Sequence, residues 1–222
     1  MFFKKFFILR NATLWLMCFL FFAFQSTLYA ANKSLTILYT NDMHAHLFPR
    51  IESRVSSTRK VGGFANLATL VKSFKKESDT TIYLDAGDYF SGPYIGPLTR
   101  GRAVIESMNL LGLDATCIGN HEFDYGWENM LSQFERAEFP IFNGNIFFEG
   151  TDDLFWENPY AIIKKGNVNI GVIGLIGEFA FYNAVNSKMV KGLEARDEQR
   201  YLEKYIGELR PVTDLVVLIV HH

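Results

Sequence analysis

Four apolar, strand-like runs in this chain each stop at a cluster of aspartate, asparagine or histidine. SLTILYT leads into Asn41-Asp42-Met43-His44, TTIYLD into Gly87-Asp88, ATCI into Gly119-Asn120-His121, and DLVVLIV into His221-His222. All five histidines lie at such strand ends or in the loop just beyond, His46 included. Packing does not require that placement. In an open α/β sheet, however, ligands bind at the carboxyl ends of the strands, so the clusters mark one rim of the fold as its working face.

Between these runs the apolar spacing turns helical. Residues 62–76 place Phe64, Leu67, Leu70, Val71 and Phe74 on one face, with lysines near the end where they favour the helix dipole. Further helices are predicted over 102–111, 127–137 and 197–209, the last stopped by Pro211. Residues 140–142 read as a strand entering an Asn143-Gly144 turn, and 160–165 with 168–176 as a hairpin. The alternation is that of an α/β domain. The polar stretch 49–60 reads as a surface loop, and Phe142, Phe147 and Phe148 as core. With 49% hydrophobic and 21% charged residues the chain has the composition of one globular domain. A net charge of -2 offers no basic surface for polymeric nucleic acid, which is not an expected partner.

The first thirty residues differ from the rest. Lys4, Lys5 and Arg10 precede an apolar stretch, 12–24, and the run Gln25-Ser26-Thr27. That is the layout of a secretory signal peptide, with cleavage after Ala30. The expected division is a leader over 1–30 and one domain over 31–222, exported to the periplasm or the exterior and touching membrane only through the leader. An uncleaved anchor is the alternative, but the apolar run is shorter than the roughly 20 residues of a spanning helix. Met17 before Cys18 is a poor match to a lipid-anchor signal. After cleavage Cys117 is a lone thiol, expected to be buried.

Asp42 and His44 are two residues apart, so in extended backbone both point to one side and could hold one cation. Asp88 has two carboxylate oxygens with which to bridge two ions. Asn120-His121 adds an amide oxygen and an imidazole, and His221 a further nitrogen. Mixed Asp, Asn and His ligation without cysteine suits Zn²⁺, Mn²⁺ or Mg²⁺ and argues against a structural zinc. A pair of such ions is a recurrent solution for phosphate-ester hydrolysis. His121 is the candidate proton donor to the leaving oxygen, and Asp124 could hold its tautomer. Taken singly, Asp42 with His44 could be a solvated turn and Asn120 or Asp124 a helix cap; together with Asp88 they read as a ligand set. His46 is expected behind the ligands or facing substrate, Asp85 to end its strand structurally, and Glu122 to point away with no role.

The order Asp42-x-His44, Gly87-Asp88, Gly119-Asn120-His121-Glu122, then a strand ending in histidine, resembles the calcineurin-like metallophosphoesterase superfamily. Within it, YTNDMHAH, LDAGDYFSG and GNHEFDYG resemble the 5'-nucleotidase and cyclic-nucleotide phosphodiesterase family, which includes periplasmic UDP-sugar hydrolases. Gly62-Gly63 opening a helix, FPIFNGNI and NIGVIGLIG extend the likeness from about Leu35 onward. The resemblance implies a two-sheet β core flanked by helices, incomplete at its C-terminus. It implies two divalent metals on Asp42, His44, Asp88 (bridging), Asn120 and His221, a catalytic pair of His121 with Asp124, and nucleotides or related phosphate esters as substrates. His221 rather than His222 is the implied ligand.

The family pattern continues with a Gly-His-x-His motif and a nucleotide-gripping domain, neither of which this sequence contains. Asn66 also stands where the family carries an arginine after Gly-Gly-x-Ala. A catalytically incompetent remnant that retains partial metal binding is therefore the alternative expectation, as is a branch of the family that handles sulfur-oxidation intermediates.

Overall fold

The strand-like runs do form the strands that carry the polar clusters. Residues 33–222 are described by the computed structural model, and the expected leader, residues 1–30, lies outside them. In chain order the elements are β1 (Thr36–Thr40), β2 (Arg50–Glu52), β3 (Ser56–Val61), α1 (Phe64–Glu77), β4 (Thr81–Asp85), α2 (Ile95–Thr99), α3 (Arg102–Met108), β5 (Ala115–Cys117), α4 (Trp127–Phe134), β6 (Ile141–Phe142), β7 (Ile146–Phe148), β8 (Tyr160–Lys165), β9 (Val168–Ile176), β10 (Leu193–Ala195), α5 (Glu198–Leu209) and β11 (Leu215–His221). Among the described residues no helix is long and apolar enough to cross a membrane.

Two sheets make the centre. Strands β1, β4, β5 and β6 pair in parallel in the order β1-β4-β5-β6. The other sheet runs β11-β9-β8, with β9 parallel to β11 and antiparallel to β8. Successive side chains of a strand face opposite ways, and the buried residues of β4 divide accordingly. Ile82 and Leu84 pack with Ala115, Cys117 and Phe142 against Val168, Ile170, Val172 and Ile219 of the second sheet. Tyr83 belongs to the opposite core, with Val71 of α1, Val104 and Ile105 of α3, and Met130 and Phe134 of α4. On the far side, Ile173 and Leu175 of β9 pack on Tyr201, Tyr205 and Leu209 of α5. The layering is helix, sheet, sheet, helix: the expected two-sheet core flanked by helices. Each fully buried large apolar side chain contributes about 1.5–3 kcal/mol of transfer free energy, and most of these are under 5% exposed.

Capping and ion pairs hold the outer layers. Asp197 caps α5, its carboxylate accepting the Gln199 and Arg200 N–H groups. Lys75, in the last turn of α1, bonds the Gly112 carbonyl at 2.5 Å and shares Asp114 with Lys165, at 2.6 and 2.5 Å. Asp114 also accepts the Tyr83 N–H, tying helix, strand and loop together.

Three expectations change. Residues 49–60 are mostly not a loop: β2 and β3 form an antiparallel ribbon with an irregular register, largely exposed. A ribbon wet on both faces carries no apolar alternation, so its sequence reads as loop. Phe148 is 38% exposed, although Phe142 and Phe147 are buried; it ends β7 and meets Trp127 and Phe155 edge-on at the surface. The short pair β7–β10 was not foreseen at all. Cys117 is fully buried, as expected.

Candidate metal centre

The loop after β1 continues to follow β4 beyond the end of the sheet. Asp42, His44 and Ala45 donate their N–H groups to the carbonyls of Gly87, Asp88 and Tyr89 at 3.0, 3.0 and 2.9 Å. Asp42, His44 and Asp88 have φ of 52°, 41° and 62°. That left-handed region costs a side-chain-bearing residue about 1–3 kcal/mol and concentrates at functional sites. The extended backbone expected for Asp42-Met43-His44 is therefore wrong, while its consequence stands: His44 Nε2 lies 3.4 Å from Asp42 Oδ1.

Two groups of side chains converge around Asp88. Ligand atoms of His44, Asp88 and His121 lie within 4.8 Å of one another, and so do those of Asp42, Asp88 and His221. Asn120 joins the second group, its Oδ1 at 2.9 Å from His221 Nε2, which is 3.1 Å from Asp88 Oδ2. The other nitrogen of that ring, Nδ1, bonds the Ala86 carbonyl at 3.0 Å. Nε2 thus faces two oxygen acceptors, an arrangement completed by a proton on the charged ring or, with the ring neutral, by a cation. All five residues expected as ligands thus meet at one place, with Asp88 common to both groups. His222 does not join them and instead faces Glu198 at 3.6 Å.

His121 sits over the first group, its ring 5.0 Å from that of His44 and its Nε2 3.9 Å from Asp88 Oδ2. Its Nδ1 pairs with Asp124 Oδ2 at 2.9 Å. The bond to Asp124 raises the His121 pKa above the usual histidine value, against a smaller opposing effect of burial. Burial works against charging His221 too, but the Asp88 carboxylate outweighs it and holds that ring at about 9. Asp88 itself is pushed up by burial and pulled further down by His221 and by the His121 N–H, for a net lowering. The centre is therefore a place where positive charge is strongly favoured.

Around this core, Asp85 fills the structural role expected of it. It is fully buried and accepts Thr40 Oγ1 at 2.6 Å, Thr116 Oγ1 at 3.1 Å and the Gly87 N–H at 3.0 Å, tying three strand ends together; burial pushes its pKa up to about 6. His46 lies beside the ligands, its ring bonded to Arg50, and burial with the Arg50 charge lowers its pKa. Together with Asp42, Met43, Phe48, Asn66 and Leu70 it lines a cavity of about 510 Å³ next to the centre. Asn66 bonds the Gly62 carbonyl at 2.7 Å. Glu122 was expected to point away and to do nothing. In fact the 3₁₀ turn His121–Phe123 swings it inward, and it is 0% exposed beneath the centre.

Residues 35–222 match the calcineurin-like phosphoesterase family. The chain belongs to that family. The 5'-nucleotidase of Bos taurus is 37% identical over 198 residues, 85% of this chain and 33% of the relative. A solved 5'-nucleotidase precursor from Thermus thermophilus is 28% identical with a TM-score of 0.75, covering 84% of this chain and 37% of that one. The sulfate thiohydrolase SoxB of Thermus thermophilus matches with a TM-score of 0.74, over 87% of this chain and 45% of that one, but at 19% identity it shares the fold alone. This calcineurin-like phosphoesterase chain spans about a third of the length of the curated relatives it matches.

Proposed function

We propose that this chain is the metal-binding catalytic domain of an exported phosphoesterase of the 5'-nucleotidase type, acting on nucleotides or related small phosphate esters. The observation that carries the reading is the convergence of acceptor atoms on Asp88 from both sides. His44 and Asp42 come from the loop after β1, Asn120 and His121 from the loop after β5, and His221 from the end of β11. Two divalent cations of the Zn²⁺, Mn²⁺ or Mg²⁺ class would fit this donor set, held between them by Asp42, His44, Asp88, Asn120 and His221. When bound, such ions lower the pKa of a water and neutralise the phosphoryl oxygens.

The chain's own residues supply the rest. Asp124 accepts a hydrogen bond from the Nδ1–H of His121, which turns Nε2 toward the centre and keeps the ring protonated to higher pH. A proton held at Nε2 is then placed to pass to the leaving oxygen of an ester. Although His121 also lies within ligand distance of His44 and Asp88, its bond to Asp124 and its partial exposure favour the proton-donor role. A positively charged leader followed by an apolar run, in residues 1–30, supports export.

The test is phosphate release from a nucleoside monophosphate by the purified chain with Mn²⁺ or Zn²⁺ added, beside an Asp88→Ala variant. Metal-dependent turnover that the variant lacks is expected. Equal phosphate release by the two proteins would contradict the reading, and metal binding with no turnover in either would reduce the chain to a binding remnant.

A further inference from the structure

We propose that Glu122 is the positioning residue of the metal centre: its buried carboxylate clasps the loop that carries Asp88 to the loop that carries Asn120 and His121. The inference rests on the metal-centre reading above.

Four backbone N–H groups converge on this one side chain. Oε1 accepts those of Tyr89 and Phe90 at 2.8 and 3.2 Å, and Oε2 those of Asp88 and Gly119 at 2.8 and 2.7 Å. Three of the donors are successive residues beginning at Asp88, whose φ is 62°. Successive N–H groups in a turn of this kind make an anion-binding concavity. Here the anion is built into the chain. Asp88 returns the bond, its Oδ1 accepting the His121 N–H at 2.8 Å. Each loop thus supplies an acceptor to the backbone of the other, and the bridging carboxylate is itself one half of the clasp.

The loops meet too closely for packing alone to explain the arrangement. A Cβ on Gly87 would lie 2.6 Å from the Gly119 nitrogen, and one on Gly119 would collide with Asp88 Oδ1. Backbone groups brought together in this way without water need acceptors. Because all four contacts are donors to Glu122, both of its oxygens must accept. Glutamine has the same shape but would turn an NH₂ toward two of the N–H groups, so the clasp requires a carboxylate. Burial and the nearby Asp88 charge push the Glu122 pKa up, and the N–H donors oppose that rise. Glu122 touches no reacting atom. Its effect is exerted through Asp88, by fixing the position and direction of that carboxylate relative to His121 and His221.

Mn²⁺ binding by the full chain, followed by electron paramagnetic resonance, tests this without relying on turnover. The wild-type chain is expected to bind Mn²⁺ as an exchange-coupled pair. Glu122→Gln, folded by circular dichroism, is expected to bind Mn²⁺ about 10- to 100-fold more weakly, the usual cost of losing a partner that orients a ligand, and to show only uncoupled Mn²⁺. A folded Glu122→Gln chain with wild-type affinity and the coupled signal would overturn the proposal. A wild-type chain that binds no Mn²⁺ pair would overturn the metal-centre reading and the clasp's function with it. If Glu122→Gln does not fold, amide exchange of the wild-type chain decides: slow exchange at Asp88, Tyr89, Phe90 and Gly119 supports the clasp, and exchange as fast as in exposed loops rules it out.

Discussion

The Asp124 carboxylate does two things to His121: it accepts a hydrogen bond from Nδ1 at 2.9 Å and it raises the pKa of the ring. A histidine that donates a proton works only while protonated, so its pKa sets the alkaline limb of the rate profile. Asp124→Asn removes the charge that raises it. The limb is expected to move to lower pH, with kcat reduced about 100-fold, the low end of what general acids contribute, and KM little changed. A pH–rate series on both proteins measures this, and an unmoved limb would mean that Asp124 does not act through His121. The placement of these residues at the sheet edge was legible because they follow an apolar run that reads as a strand. The sharing of one face by Asp42 and His44 was also legible, but for the wrong reason: left-handed backbone, not an extended one, turns them together. Glu122 was illegible. In extended chain it would face away from His121, and nothing local announces the 3₁₀ turn that buries it. The one available signal was a carboxylate set between His121 and the apolar Phe123.

Among the elements, α1, β4, β9, α5 and β11 were readable because their apolar runs are continuous or helically spaced, although α1 leaves Leu70 and Phe74 exposed and β11 leaves Leu215 and Leu218 so. The β2–β3 ribbon was not, since it is largely exposed and carries no apolar alternation, and the β7–β10 pair was not, since two strands of three residues, though mostly buried, are too short to show a period. The end of α5 was set by Pro211, and its beginning by Asp197, which accepts two N–H groups of the first turn. Asp197→Ala is expected to cost about 1 kcal/mol, the typical worth of such a cap, in a urea titration monitored by circular dichroism. Asp197 belongs to neither of the ligand groups around Asp88, so Mn²⁺ affinity should be unaffected. A loss of affinity in this variant would show that the outer helix is coupled to the centre.

Over the whole molecule, two sheets and their helices deliver three loops and one strand end to a single rim, and the centre exists only when the fold does. On the proposed reading, metal binding is therefore linked to folding. At a free Mn²⁺ concentration 100 times its dissociation constant the linkage is worth about 2.7 kcal/mol, or about 5–10 °C in Tm for a domain of this size. Chelation should reverse the rise, and Asp88→Ala should show little of it. Equal shifts in the two proteins would place the binding elsewhere.

The most direct test of a two-ion centre bridged by Asp88 is the metal content of the purified chain after Mn²⁺ loading and desalting, by elemental analysis. About two metals per wild-type chain and at most a trace in Asp88→Ala is the expected result. One metal or none in the wild type, or equal content in the two proteins, would contradict it.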